Sequence, residues 1–426
     1  MNDFVNVLNS NGGHIYVVGG FIRNKFYNKL NNANIPTKDI DILVRCLDED
    51  KIIELLQDLG TIKKIGISFG ILMFKPNDQN ETFEIALPRK EISIGEQYRD
   101  FEIEIDPNLS IEEELKRRDF TINAMCIEIN SLKDVNNINF DNLIDPYHGS
   151  EDLKNNICRC VGVPIDRFKD DPTRILRAFR ISTQLNLNLE NNTKIAIKDN
   201  ANLLNNLIPK SAVRLYNELF KMLKFEDSNK NLVIMKELNI LETIGLNIED
   251  KTLYIHTQDY LIKIALLLSN ISHTNFDEWR RYYQISAVDN INKFDITFLD
   301  LTHNEQIIDL LINVNDKYDM LNLINKVEKI SNDNNSYQLV EKLIIFVNIK
   351  YSSDFVTHYN LHSECNNYPN SVCKININGN EIKEITNSQG KEISVIKNKL
   401  LDDIYKDKVK NINEELRKYL ELEIKL

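Results

Sequence analysis

Residues 14–44 read HIYVVGGFIRNKFYNKLNNANIPTKDIDILV, and this stretch decides how the first part of the chain folds. Residues 15–18 form a short β-branched and aromatic run, the composition of a buried strand. Gly19 and Gly20 follow it and can adopt backbone angles closed to other residues, so a phosphate can approach the main chain closely. A short helix comes next, and its exposed amide groups together with Arg23 suit an anion at the glycine turn. In the second strand alternate side chains share a face, so Asp39 and Asp41 point to the same side. Two carboxylates there can hold one or two magnesium ions, which prefer oxygen ligands and leave positions open for substrate phosphates.

Outward from this stretch, residues 50–59 have helical periodicity. Residues 67–74 and 82–87 read as two strands joined by KPNDQNE, whose Pro, Asn and Asp mark a turn. Glu84, on the second of them, can supply a third carboxylate or orient an attacking hydroxyl; a solvated strand glutamate fits the same spacing. Residues 89–101, RKEISIGEQYRDF, are polar, lack a clean period and are expected to form a mobile loop. Ser110 followed by Glu113 starts a helix. That helix leads through Arg117, Arg118 and Asp119 into an apolar strand-like run ending at Ile129. Beside a phosphate-binding turn, one of these arginines can hold a triphosphate while Asp119 and Asn123 orient it or contact a sugar hydroxyl.

From residue 146 the strand signal fades and helical patterns continue to the end. The stretch 170–185, DDPTRILRAFRISTQL, places Pro172 at a helix start and repeats Asp171, Arg174, Arg177 and Arg180 every three residues. Such a stripe can be an exposed salt-bridged face, or an arginine fork and a carboxylate that read the edges of a base. Residues 211–223, SAVRLYNELFKML, form a further amphipathic helix with Arg214, Glu218 and Lys221 on its polar side. Beyond residue 225, His256, Asp259 and His273 include no adjacent His-Asp pair, which argues against a metal phosphohydrolase. His358, His362, Cys365 and Cys373 fit no common zinc spacing.

Composition sets wide bounds. A chain of 426 residues with 42% hydrophobic and 27% charged residues is expected to hold two to four globular domains. No apolar run approaches the about 20 residues of a membrane span, and no secretory signal is evident, so a cytoplasmic protein without membrane contact is expected. The six cysteines are scattered and are expected to be reduced thiols. A net charge of −12 opposes indiscriminate nucleic-acid binding but leaves room for a local basic cleft. The oligomeric state is not fixed by these features.

Together the motifs resemble those of the class II tRNA nucleotidyltransferases and bacterial poly(A) polymerases. VGGFIRN is similar to the family's Val-Gly-Gly-x-Val-Arg-Asp turn and KDIDILV to its Asp-x-Asp metal strand. LKRRDFTINAM resembles its Arg-Arg-Asp-x-Thr-x-Asn-Ala segment, and LIDPYHGSEDL its Asp-Pro-x-x-Gly junction. DDPTRILRAFR resembles the base-reading helix and SAVRLYNELFKML the helix after it. All six fall in family order within about residues 14–225. Three departures stand out: Asn24 where the family has aspartate, Asp170 where it has glutamate, and Ser211 where the last helix usually starts with an acidic residue.

The resemblance implies an α+β protein. A nucleotidyltransferase head with a small mixed or antiparallel sheet would occupy residues 1–145, followed by an all-helical neck (146–225), body (226–350) and tail (351–426). It implies Mg2+ held by Asp39 and Asp41, with Glu84 assisting. Triphosphate contacts would come from Gly19, Gly20, Arg23 and Arg118, with Asp119 and Asn123 beside them. Asp171 and Arg174 would read the Watson–Crick edges of CTP and ATP, with Arg177 and Arg180 completing the pocket. The expected activity is template-independent addition of C, C and A to the 3′ end of tRNA with pyrophosphate release. Addition of A alone, addition of CC alone, poly(A) synthesis and a non-catalytic RNA-binding role are the competing expectations.

Overall fold

The computed structural model describes residues 4–37, 40–65, 70–93, 101–246, 257, 259–269, 271, 276–282, 285–289, 291–315, 317–331, 336–351, 377–405, 408–410 and 412–423. Asp39 therefore lies outside the described residues, as do His256, His273, His358, His362, Cys365 and Cys373. The chain divides into two compact units, Met1–Gly245 and Leu246–Leu426. The residues expected as head and neck both fall in the first.

In the first unit, helix α1 (Phe4–Ser10) precedes β1 (His14–Val18), α2 (Gly20–Asn31), β2 (Asp41–Arg45) and α3 (Glu49–Leu56). Strands β3 (Gly60–Ile65), β4 (Ile71–Pro76), β5 (Phe83–Ala86), β6 (Arg89–Ser93) and β7 (Phe101–Ile105) follow, then α4 (Ile111–Lys116) and β8 (Cys126–Glu128). Six of these strands form one sheet in the order β3-β4-β5-β2-β1-β8. Its pairings are antiparallel except β2 with β5, which is parallel. Strand β1 takes an inner place, and the four residues after its exposed His14 are all buried. Phe4 of α1 packs its ring edge against Phe74 of β4, with centroids 5.1 Å apart, and closes one face of the sheet.

Two features depart from the sequence expectation. Strand β3, GTIKKI, carries no apolar alternation because it is an edge strand whose residues are largely exposed. The segment expected as a mobile loop begins as strand β6, paired in register with β7 from Arg89 opposite Ile105 to Ser93 opposite Phe101; residues 94–100 lie outside the described set. Charged cross-strand partners, such as Lys90 opposite Glu104 with Lys90 also 2.8 Å from Asp106, hold this hairpin. Its polarity obscured the alternation.

Past β8 the chain turns helical: α5 (Gly149–Lys154), the short strand β9 (Ile157–Cys158), α6 (Pro164–Asp170) and α7 (Thr173–Gln184). Strand β10 (Asn188–Leu189), which pairs in parallel with β9, precedes α8 (Asn191–Asp199), α9 (Ile208–Leu223), α10 (Ser228–Glu237) and α11 (Ile240–Thr243). The Asp-Pro junction has a clear structural task. Asp145 accepts hydrogen bonds from the amides of Gly149 and Ser150 and so caps α5. A Cβ at Gly149 would lie 2.2 Å from the Thr121 carbonyl oxygen, so only glycine lets α5 pack this closely on the turn at residues 121–123.

The described secondary-structure elements of the second unit are all helices. Its apolar helix Tyr260–Leu268 is capped by Asp259 and packs against Ser336–Tyr351. No described helix is long and apolar enough to cross a membrane. The molecule is thus an α+β protein with an N-terminal mixed sheet and a helical remainder, as the sequence implied.

Candidate active site

The parallel pairing of β2 with β5 sets Asp41 opposite Glu84, while the antiparallel pairing with β1 sets Asp41 opposite Val18, the residue before the glycine turn. Gly19 has φ +72°, and a Cβ there would stand 2.8 Å from Arg118 Nη1 and 3.6 Å from Asp41 Oδ2. The backbone angle calls for glycine, and a side chain there would push the Arg118 guanidinium aside. Gly20 opens α2.

Arg23, expected to touch the triphosphate, is instead buried behind the turn. Its Nη1 donates to Asn123 Oδ1 at 2.5 Å, and its Nε and Nη2 donate to Asn24 Oδ1 at 3.0 and 2.8 Å. Burial, helped by the nearby charges of Arg180 and Arg177, pushes its pKa down to about 10, against the pull of Asp119. Asn24 thus accepts from the guanidinium through a neutral oxygen, while its Nδ2 donates to the Pro36 carbonyl. Asn123 is likewise committed: its Oδ1 takes Arg23 and its Nδ2 donates to Asp119 Oδ1 at 2.8 Å. Both residues connect parts of the wall rather than face the cleft.

The Arg-Arg-Asp run begins at the end of α4. Glu114, fully buried, accepts Arg117 Nε at 2.8 Å and Arg117 Nη2 at 2.5 Å, lies 3.8 Å from Arg118 Nη2 and accepts the Arg89 amide at 3.3 Å. It is a site-shaping residue that the sequence reading missed. Its spacing of three and four residues from the two arginines was the available signal. Arg118 lines the cleft, yet its Nε is buried without a hydrogen-bond partner, and burial lowers its pKa. An orphaned cationic donor in a cleft wall suits an oxyanion.

Asp119 accepts its own neighbour's amide, from Phe120, at 2.8 Å, and its Oδ2 lies 2.5 Å from Arg177 Nε. Burial alone would raise its pKa. Arg177, the Asn123 amide, Arg174 and the Phe120 amide outweigh it and hold the carboxyl at about 2.

Helix α7 supplies the far wall. Asp171 precedes it and accepts the Thr173 amide at 3.0 Å and the Thr173 hydroxyl at 2.6 Å through Oδ1, while Arg214 Nη2 of α9 lies 2.7 Å from Oδ2. Arg174 donates Nη1 to the Arg167 carbonyl at 3.3 Å and Nη2 to the Arg117 carbonyl at 3.1 Å, tying α7 to the end of α4. Arg180, expected to complete the pocket, points instead to α9, where it pairs with Glu218. The reason is helical geometry. A three-residue step falls about 60° short of a full turn, so two steps from Arg174 rotate Arg180 roughly 120° off the stripe.

These elements enclose one cleft of about 540 Å³. Asp41, Glu84 and Arg118 line it, with Asp119, Asp171, Arg174 and Arg177, and α9 adds Arg214, Asn217, Glu218 and Lys221. Of the expected site residues, Gly19 adjoins Arg118 and Asp41, Gly20 begins the helix behind them, and Arg23, Asn123 and Arg180 stand outside the lining. The α9 face was legible only as the polar side of an amphipathic helix. Among the described residues no group of three or more His, Cys, Asp or Glu surrounds a common metal point. Asp41 and Glu84 are hard oxygen donors lining the cleft, a donor set that fits a cation completing its shell with substrate oxygens.

Known proteins resemble this chain in sequence and in fold. A family model described as the poly(A) polymerase head domain matches residues 15–159, and one described as a probable RNA- and SrmB-binding site of polymerase A matches residues 186–251. The CCA-adding enzyme of Streptococcus gordonii is 33% identical over 212 residues, covering 50% of this chain and 46% of that protein. The chain thus spans about half the length of such curated relatives. The CCA-adding enzyme of Staphylococcus haemolyticus aligns at 25% identity over 98% of this chain and 96% of its own. Residues 15–159 belong to the poly(A) polymerase head-domain family, and the relatives they resemble are CCA-adding enzymes.

Solved members of this family share the fold. The Bacillus stearothermophilus CCA-adding enzyme in complex with CTP superposes with a TM-score of 0.63 at 18% identity, covering 99% of this chain and 96% of that one. An apo form of a CCA-adding enzyme gives 0.67 at 21% identity, over 94% and 90%.

Proposed function

We propose that the chain is a template-independent tRNA nucleotidyltransferase that adds C, C and A to the tRNA 3′ end from CTP and ATP. The observation that carries this reading is the single cleft, which has Asp41, Glu84 and Arg118 in its lining together with Asp171, Arg174 and Arg177. The carboxylates suit the reacting phosphate, and the arginine fork with its neighbouring carboxylate suits the edge of a base. The relatives named CCA-adding enzymes, one of them solved with CTP, agree with it.

In this reading the terminal 3′-hydroxyl oxygen of tRNA attacks the α-phosphorus. The new phosphodiester bond forms as the bond to pyrophosphate breaks. Arg118 holds the triphosphate with its unpartnered donor, and the Gly19 turn lets the phosphates approach the main chain. Asp41 and Glu84, with Asp39, would hold Mg2+, which supplies Lewis-acid stabilisation of the transferring phosphoryl group. Arg174 has two of its five donors engaged with carbonyls and can offer others to a ring nitrogen. The tRNA itself is held by shape, phosphate and 2′-hydroxyl contacts rather than by sequence.

The test is incubation of the full chain with tRNA transcripts ending before CCA, after C and after CC, with CTP, ATP or both. Sequencing of the ends should show CCA completion and then arrest. Extended A tracts would point to poly(A) synthesis, and no extension of any transcript would remove the proposal.

A further inference from the structure

Two residues of the α7–α9 interface have no place in the chemistry above, yet they touch the carboxylate on which base choice rests. Asp171 has its Oδ1 engaged by the amide and hydroxyl of Thr173, and its Oδ2 lies 2.7 Å from Arg214 Nη2. The same Arg214 nitrogen lies 3.3 Å from Thr173 Oγ1, so the three side chains form a closed triangle. A carboxylate offers about four lone-pair sites. Thr173 fills two and Arg214 one, which leaves a single acceptor direction.

We infer that Arg214 is a positioning residue for base selection: with Thr173 it locks Asp171 so that one fixed acceptor faces the base edge. This rests on the nucleotidyltransferase reading of the cleft. Cytosine and adenine carry an exocyclic amino donor at the position where uracil and guanine carry a carbonyl. An immobile acceptor pairs with the first two and sets oxygen against oxygen with the others. A freely rotating carboxylate loses that contrast, because it can turn away or admit a bridging water. Arg214 reaches Asp171 across the helix interface from α9 and also lines the cleft.

The experiment measures kcat/KM of the full chain for CTP against UTP, and for ATP against GTP, on transcripts ending before CCA and after CC. Arg214→Gln should lower both ratios by about ten-fold or more, the scale of one lost base-edge contact. Thr173→Val keeps the shape of the side chain and should lower them in the same direction by less. Arg214→Lys restores charge without the fork and should recover part of the ratio. In the Asp171→Asn background, Arg214→Gln should change the ratios no further, because its effect runs through the carboxylate. Should Arg214→Gln fail to fold, Thr173→Val decides alone. Ratios unchanged in the folded variants, with only the overall rate reduced, would overturn the inference. A wild-type chain that extends no transcript would instead remove the underlying reading of function.

Discussion

Arg177 Nε of α7 lies 2.5 Å from Asp119 Oδ2, joining the helix that carries the arginine stripe to the Arg-Arg-Asp run at the opposite wall. Through Asn123 the same carboxylate reaches Arg23 and the glycine turn. One buried acid therefore holds both halves of the cleft together.

Its titration gives a prediction with a definite sign. The folded-state pKa of Asp119 is about 2, below the ordinary 3.8, so its contribution is present above about pH 4 and is lost as pH falls towards 2. Asp119→Asn should cost about 2 kcal/mol at neutral pH, on the scale of roughly 1.4 kcal/mol per pKa unit. In urea melts the gap between wild type and variant should narrow between pH 4 and pH 2. A gap that stays constant across that window would refute the assignment.

At the carboxylate end, Asp41→Ala should abolish nucleotide addition, with a loss of several kcal/mol of transition-state stabilisation, roughly a thousand-fold or more. Binding of tRNA should be nearly unchanged in a filter or mobility assay. Chelation with EDTA should silence the wild type, and added Mg2+ should restore it. Normal extension by Asp41→Ala would show that the carboxylate serves only the strand.

For Arg174, truncation removes both the base-facing donors and the two carbonyl contacts that join α7 to α4 and α6. Arg174→Ala should therefore blur the choice among CTP, ATP, UTP and GTP by about 1–3 kcal/mol. Competition between labelled nucleotides on one transcript reads this directly. Unchanged discrimination would leave Arg174 as a brace alone.

Gly149→Ala places a Cβ 2.2 Å from the Thr121 carbonyl oxygen and 3.0 Å from Ile122 Cα. Both are backbone atoms, so the turn itself must move. The expected cost is about 1–3 kcal/mol or more, seen as a lowered Tm. The turn ends at Asn123, so the variant should also lose nucleotide affinity. A variant as stable as wild type would mean that α5 can slide away.

Much of the site could be read from spacing alone. A β-branched and aromatic run placed β1, and the glycine turn between β1 and α2 followed from two residues. Capping residues such as Ser110 located helix starts, since Ser110 Oγ does accept the Glu113 amide. Three things escaped for physical reasons. Strand β3 lies at an edge and is solvated, so no apolar pattern marks it. The β6–β7 hairpin carries charged cross-strand neighbours, Lys90 opposite Glu104 and beside Asp106, so no apolar pattern marks its first strand. Arg23, Asn123 and Arg180 are the right residue types at motif spacing, but which way a side chain turns depends on partners distant in sequence, Asn123 for Arg23 and Glu218 for Arg180. Local pattern locates chemistry within a turn of helix, and tertiary packing decides what faces the cleft.

The parallel pairing of β2 with β5 has a consequence for how the protein matures. Asp41 and Glu84 become neighbours only after α3, β3 and β4 have looped out and β5 has docked beside β2. Contacts that close a long loop form late in folding. A chain that lacks β5 therefore cannot set Glu84 beside Asp41 even with its glycine turn in place, so the carboxylate pair doubles as a report that β5 has docked on β2.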